Sequence, residues 1–298
     1  MKAEFENICR MSQKKLKKYV KNQLKETHEN VISEDGFVYA QGKFPVLLVA
    51  HLDTVHANLP TTIIHDGDKI SSPNGIGGDD RCGVYMILEI IKKYHCSVLF
   101  CEDEEIGCVG AEKFTKTDLA KELQGQFNYI IEFDRRNAND AVFYDCANEE
   151  FEEFITKEYF VTADGIFSDI STIAPYLGCA AVNLSCGYYK AHTKDEYVVF
   201  SEMEKSIKEA MKILARTTDE KFEYVEAIYR NYEYGGWYDY YGSADGEGYY
   251  TILFLDYDQE ENIYETYANS KIEAIGAFCM DNQYSCVSDI IDIVCDAM

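Results

Sequence analysis

Four times along this 298-residue chain, an apolar run of strand length leads to a residue able to bind a metal or move a proton. Phe44-Pro-Val-Leu-Leu-Val-Ala delivers His51, and Ser97-Val-Leu-Phe-Cys delivers the acids Glu102 to Glu105. Tyr129-Ile-Ile-Glu-Phe delivers Asp134, and Cys179-Ala-Ala-Val-Asn-Leu-Ser leads toward His192. The first of these runs is apolar throughout, as a strand covered on both faces would be. Helical patterning fills the intervals: residues 82–94, a turn and short helix over 107–116, then 151–159 and 201–217. Strands alternating with helices predict an α/β fold, a mixed and mostly parallel sheet with helices on both faces. Ligands gather at the carboxyl ends of strands in such sheets. The histidines and acids fall there.

Upstream, Ser12 to Glu26 is Lys-rich with Leu16, Val20 and Leu24 at helical spacing, which predicts an amphipathic N-terminal helix. Its basic face would pair with acids of the same protein. Gly36-Phe-Val-Tyr-Ala reads as a strand, and residues 61–70 as a strand or hairpin around Asp66-Gly67.

A net charge of -25 argues against nucleic-acid binding, which needs clustered Lys and Arg, and against an anionic membrane surface. Eleven cysteines, with no framework spacing and several inside apolar runs, fit reduced buried thiols. With no export signal in residues 1–18 and no run long enough to span a membrane, the expected location is cytoplasmic.

In His51-Leu-Asp53, residues i and i+2 of an extended segment point the same way. Asp53 can therefore hold the ring nitrogen of His51 that does not face a metal. Asp79 follows a Gly-rich turn and precedes a helix, so Asp79 or Asp80 would suit a helix cap as well as a metal ligand. The stretch lacks the Gly-Lys-Ser/Thr of a phosphate loop. Glu104-Glu105 would be a surface patch were it not for the apolar strand before it. Tyr188 and Tyr189 are candidate oxyanion donors or packing residues. His28, His56, His65 and His95 have no evident partners in the sequence. Two histidines and several carboxylates so placed suit a pair of divalent ions sharing one carboxylate, a site for amide hydrolysis.

The wording of these motifs resembles the two-zinc exopeptidase superfamily that includes peptidase T, carboxypeptidase G and the bacterial leucine aminopeptidases. His51-Leu-Asp53-Thr-Val is similar to its first motif. Gly78-Asp79-Asp80-Arg81-Cys82-Gly83 resembles its Gly-x-Asp-Asp-(Lys or Arg)-x-Gly motif. Glu104-Glu105-Ile106-Gly107 resembles Glu-Glu-x-Gly, and Ala191-His192-Thr-Lys-Asp-Glu196 resembles the closing Ala-His-x-x-x-Glu. The resemblance implies a general base at Glu104 and a bridging carboxylate at Asp79. One ion would take His51, Asp79 and Asp134, and the other Asp79, Glu105 and His192. Zinc is implied, and cobalt or manganese would fit the same ligands. Ser168-Asp169 resembles a step lining the pocket, so Asp169 and Tyr189 are candidate substrate contacts. The resemblance spans residues 36–216. Only 57 residues separate Asp134 from His192, so the lid domain that peptidase T and carboxypeptidase G insert there would be absent.

The expected activity is removal of terminal residues from short peptides, as an aminopeptidase. A deacylase or carboxypeptidase using the same metals is an alternative. So is a metal-binding interaction protein without turnover. The oligomeric state is not legible. The expected division is a catalytic domain over 1–218 and an acidic, Tyr-rich region over 219–298, which holds 18 Asp or Glu, three Lys or Arg and 13 of the 24 tyrosines. Within it, strands are predicted over 249–257 and 271–280 and a short helix over 287–295.

Overall fold

The computed structural model describes residues 2–144, 146–165, 167–225, 248–255, 261–268, 274–275, 277–278 and 290–297. Helices α1 (Lys2–Cys9) and α2 (Gln13–Thr27) open the chain. Strands β1 (Val31–Glu34), β2 (Phe37–Ala40) and β3 (Phe44–His51) follow, then the hairpin β4 (Ile64–Asp66) and β5 (Lys69–Ser71). Next come α3 (Gly78–Ile90), β6 (Cys96–Cys101), α4 (Val109–Thr115), α5 (Asp118–Leu123) and β7 (Tyr129–Arg135). The span to the second histidine holds β8 (Asp140–Val142), α6 (Glu149–Thr156), β9 (Val161–Thr162), α7 (Asp169–Leu177), β10 (Ala181–Ser185) and β11 (Tyr188–Tyr189). Strand β12 (Tyr197–Val199) and α8 (Phe200–Arg216) follow it, and β13 (Gly248–Leu255), β14 (Glu261–Ala268) and β15 (Ile290–Ala297) form a separate sheet.

The main sheet runs β1-β2-β6-β3-β7-β10-β8-β9. Its centre, β6-β3-β7-β10, is parallel; β1 and β2 pair antiparallel, and β8 runs antiparallel to β10 and parallel to β9. Alternation along β3 divides its side chains between two cores. Val46, Leu48 and Ala50 join the core with α1, α2, α3 and α8, and Leu47 and Val49 join the one with α4, α5 and α7. Both faces are covered, which is why β3 is apolar throughout. From β3 the chain steps to β6 on one side and returns to β7 on the other. That reversal opens a crevice at the carboxyl ends of β3, β6 and β7.

Helix α2 buries Leu16, Val20 and Leu24, the three positions expected from their spacing. A small antiparallel sheet, β11-β12-β5-β4, sets the segment after β5 beside the segment between β11 and β12. Cys9, Cys82, Cys96, Cys101, Cys108, Cys179 and Cys186 are free and buried. Among the described residues no helix is long and apolar enough to cross a membrane. Phe222 packs against Tyr129, Phe151 and Phe154, and its carbonyl accepts from Ala180 N, so residues just past 218 lie on the main body.

The C-terminal sheet departs from expectation. Residues 290–297 form a strand paired with β13, not a helix. A short apolar run does not distinguish the two by periodicity, and the β-branched Ile-Ile-Asp-Ile-Val favours the strand. Within the strand predicted over 271–280, residues 274–275 and 277–278 are helical, and Ala274, Ile275 and Phe278 pack onto Tyr250, Ile252 and Phe254. Strand β14 has no counterpart among the expected elements. Most of the Gly- and Tyr-rich stretch lies outside the described residues.

Candidate metal centre

His51 closes β3 and is 1% exposed. Because the chain stays extended, Asp53 returns to the same side and its Oδ1 accepts from His51 Nδ1 at 3.1 Å. This fixes the tautomer and aims Nε2 into the crevice. There Nε2 meets Asp79 Oδ1 at 3.1 Å, Asp134 Oδ1 at 3.4 Å and Glu104 Oε2 at 4.0 Å. His192, held with a positive φ of 63°, brings its own Nε2 to 3.0 Å from Asp79 Oδ2 and 3.3 Å from Glu105 Oε2. The two oxygens of Asp79 thus face different histidines. Ligand atoms of His51, Asp79 and Asp134 lie within 4.8 Å of one another, and so do those of Asp79, Glu105 and His192.

Among the described residues no Lys or Arg side chain pairs with Asp53, Asp79, Glu104, Glu105 or Asp134. Burial raises the Asp134 carboxyl to about 7, helped by the charge of Asp79. Burial also drives Glu104 well above its usual range, with Asp134 and Glu105 adding repulsion. Glu105 moves the same way, while His192 partly opposes the shift. Burial would lift Asp79 too, but hydrogen bonds from His192 and His51 hold it low. Burial disfavours a charged His51, yet Asp134 and Asp53 raise it well above the usual imidazole value. Glu105 Oε1 is buried and has no hydrogen-bond partner. A crowd of buried acids with an orphaned oxygen is costly alone and suited to cations. The nitrogen and oxygen donors fit divalent ions.

Backbone geometry delivers the acids after β6. Asp103 and Cys108 sit at φ 60° and 53°, and the turn between them folds Glu104-Glu105 over Asp53. Glu104 N donates to Asp53 Oδ1 and Glu105 N to Asp53 Oδ2, each at 3.0 Å. Cys108 Sγ reaches Glu104 Oε1 at 3.7 Å.

Asp79 and Asp80 divide the two roles left open by the sequence. Asp80 accepts from Gly83 N at 2.8 Å, as a helix cap does, and from His51 N at 3.2 Å. Asp79 faces the histidines. Gly83 is forced by contact, since a Cβ there would lie 1.8 Å from the Phe133 carbonyl oxygen. Arg81, 1% exposed, donates to the carbonyls of Leu52 and Asp53 at 2.6 and 2.9 Å, fixing the segment after His51.

The candidate substrate contacts fall elsewhere. Asp169 is wholly buried at the start of α7, beside the thiols of Cys101 and Cys108; burial raises its carboxyl to about 6. Its neighbour Ser168 reaches toward the crevice, donating to Glu132 Oε2 at 2.6 Å and lying 3.4 Å from Asp134 Oδ2. Tyr189 turns away, donating to Glu202 on α8 and stacking on Tyr197. Adjacent strand residues face opposite sides, and Tyr188 is the one that reaches the site, donating to the Asp134 carbonyl at 3.1 Å.

Glu196 and His56 take a part in the centre that the sequence does not assign to them. Glu196, completely buried, accepts from Gly77 N at 2.7 Å, Asp79 N at 3.1 Å and His56 Nε2 at 2.6 Å. Its carboxylate ties the segment bearing His192 to the loop bearing Asp79. The closing His-x-x-x-Glu was the available signal for Glu196. Nothing in sequence pairs it with His56, 140 positions away.

Residues 30–169 match the model of peptidase family M28. Among solved structures, the chain is similar to aminopeptidase PepT of Bacillus cereus, at 14% identity and a TM-score of 0.58, over 71% of this chain and 96% of that one. It is similar to a tripeptidase of Staphylococcus aureus at 13% identity and a TM-score of 0.56, over 72% and 97%. An aminopeptidase of the archaeon Desulfurococcus kamchatkensis aligns at 15% identity and a TM-score of 0.54, over 72% and 94%. No curated protein sequence matches. At such identities the structures establish the shared fold.

Proposed function

We propose that this chain belongs to the zinc exopeptidase superfamily and is a two-metal aminopeptidase of short peptides. His51, Asp79 and Asp134 would hold one ion, and Asp79, Glu105 and His192 the other. Bound there, two divalent ions supply the positive charge that polarises a scissile carbonyl and acidifies water. Zinc suits the imidazole and carboxylate donors, and cobalt or manganese would be accepted. Glu104, beside His51 but outside both ligand groups, takes the proton from the attacking water and passes it to the leaving amine. Asp53 orients His51 and the Glu104-Glu105 backbone together. Tyr188 holds the strand end that carries Asp134.

The observation that carries this reading is Asp79, whose two oxygens address two different histidines at 3.1 and 3.0 Å. A terminal-residue peptidase is favoured by fold neighbours described as aminopeptidases and a tripeptidase. The span from Asp134 to His192 is taken up by elements of the two sheets and by α6 and α7, so substrate contacts would come from the main body.

Purified protein should bind about two zinc ions per chain, and chelation should abolish hydrolysis of aminoacyl anilides. N-blocked substrates should be refused; cleavage of these in preference would favour the deacylase alternative. Glu104→Gln should lower kcat by at least ~100-fold at unchanged metal content. Full turnover in that variant would overturn the assignment of the base.

A further inference from the structure

Helix α2 precedes the family-matched segment, which begins at residue 30. It nevertheless touches the loop that carries the base. Gln13 Nε2 donates to Asp103 Oδ1 at 2.8 Å, and Lys17 Nζ forms an ion pair with Glu102 Oε2. That Glu102 carboxylate also accepts from Gly36 N at 3.1 Å. Just before α2, the Met11 carbonyl accepts from Arg81, whose guanidinium holds the Leu52 and Asp53 carbonyls.

The loop is therefore gripped on two sides. Asp53 holds the Glu104 and Glu105 amides from within the crevice. Gln13 and Lys17 hold the two preceding side chains from outside. Between the two grips stands Asp103 at φ 60°, a conformation that costs a non-glycine residue energy and persists when its surroundings impose it. The side-chain bond from Gln13 is one such constraint, anchored by a helix whose Leu16, Val20 and Leu24 are fully buried.

We infer that Gln13, with Lys17, is a positioning residue for Glu104: α2 acts through Asp103 and Glu102 to set where the carboxylate of the base stands. This rests on the reading of Glu104 as the base. It differs from a purely structural role because the constraint acts on Asp103, the residue next to the base, while Glu105, the candidate ligand one position further on, keeps its own bond to Asp53. Loss should therefore appear in kcat more than in KM, metal content or melting temperature.

The experiment uses the full chain with its metals. Gln13→Glu places a carboxylate against Asp103 and should lower kcat by about tenfold, because small displacements of a reacting group are costly. KM and zinc content should stay within about twofold of the parent, since this loop change need not alter uniform binding. Lys14→Gln, on the exposed side of the same helix, should change nothing. The double variant Gln13→Glu/Asp103→Asn reverses the hydrogen bond, with the Asn amide donating to the new carboxylate. Asn also tolerates positive φ, and kcat should return to within about threefold of the parent. A Gln13→Glu kcat within twofold of the parent overturns the inference, and so does failure of the double variant to recover. If Glu104→Gln retains turnover, the base assignment falls instead, a result separable from either.

Discussion

Asp53 and Glu104 are joined by a 3.0 Å hydrogen bond from the Glu104 amide to Asp53 Oδ1, the oxygen that also accepts from His51 Nδ1. The partner oxygen takes the Glu105 amide. One buried carboxylate thus fixes the orientation of a candidate ligand and the backbone of both the candidate base and another ligand. Burial opposes its charge, but His51 and the two amides hold Asp53 below its usual value.

Asp53→Asn keeps the shape and removes one acceptor. The amide nitrogen would then face either the His51 Nδ1–H and the Glu104 N–H or the Glu105 N–H. Activity or metal affinity should fall by about 10- to 100-fold, the usual effect of losing a group that orients a metal ligand. Steady-state kinetics at several zinc concentrations checks this. Unaltered kcat/KM and zinc affinity would show that the three bonds to Asp53 do not matter to function.

Much of the centre was legible because local rules govern it. Strand β3 is apolar throughout since both faces are covered, and the two-residue spacing of His51 and Asp53 sets their side. What escaped depends on which distant loops meet. Gln13 and Asp103 are 90 positions apart, and His56 and Glu196 are 140 apart. No periodicity encodes those contacts. Tyr188 and Tyr189 are neighbours in sequence, and which of them turns toward Asp134 depends on the pairing of β11 with β12. The apolar stretch in β15 carries too few turns for helical and strand periods to separate.

Glu196→Ala should destabilise the loop bearing Asp79. It strips acceptors from the Gly77 and Asp79 amides, and an unpaired buried donor costs about 1–3 kcal/mol. Glu196→Gln, which retains one carbonyl oxygen, should lose less. The expected sign is a lower melting temperature together with weaker binding of the second zinc, read by calorimetric titration. Unchanged zinc binding in a destabilised Glu196→Ala protein would limit Glu196 to a folding role.

A separate pH dependence follows from His28, remote from the metal centre. It is buried, donates through Nε2 to the Cys96 carbonyl at 2.9 Å and stacks on His95 at 4.3 Å. Burial chiefly lowers its folded pKa below 6.5, and the neighbouring imidazole adds to the shift. The unfolded chain then binds the proton more readily than the folded one, so stability rises with pH across this interval. The contribution is fully present above about pH 6.5 and is lost as pH falls through the lower folded value. Urea unfolding at pH 7.5, 6.5 and 5.5 should show an acid-side decline that is shallower in His28→Gln, whose amide can still donate to Cys96. Parallel declines in parent and variant would remove His28 from the acid sensitivity of the fold.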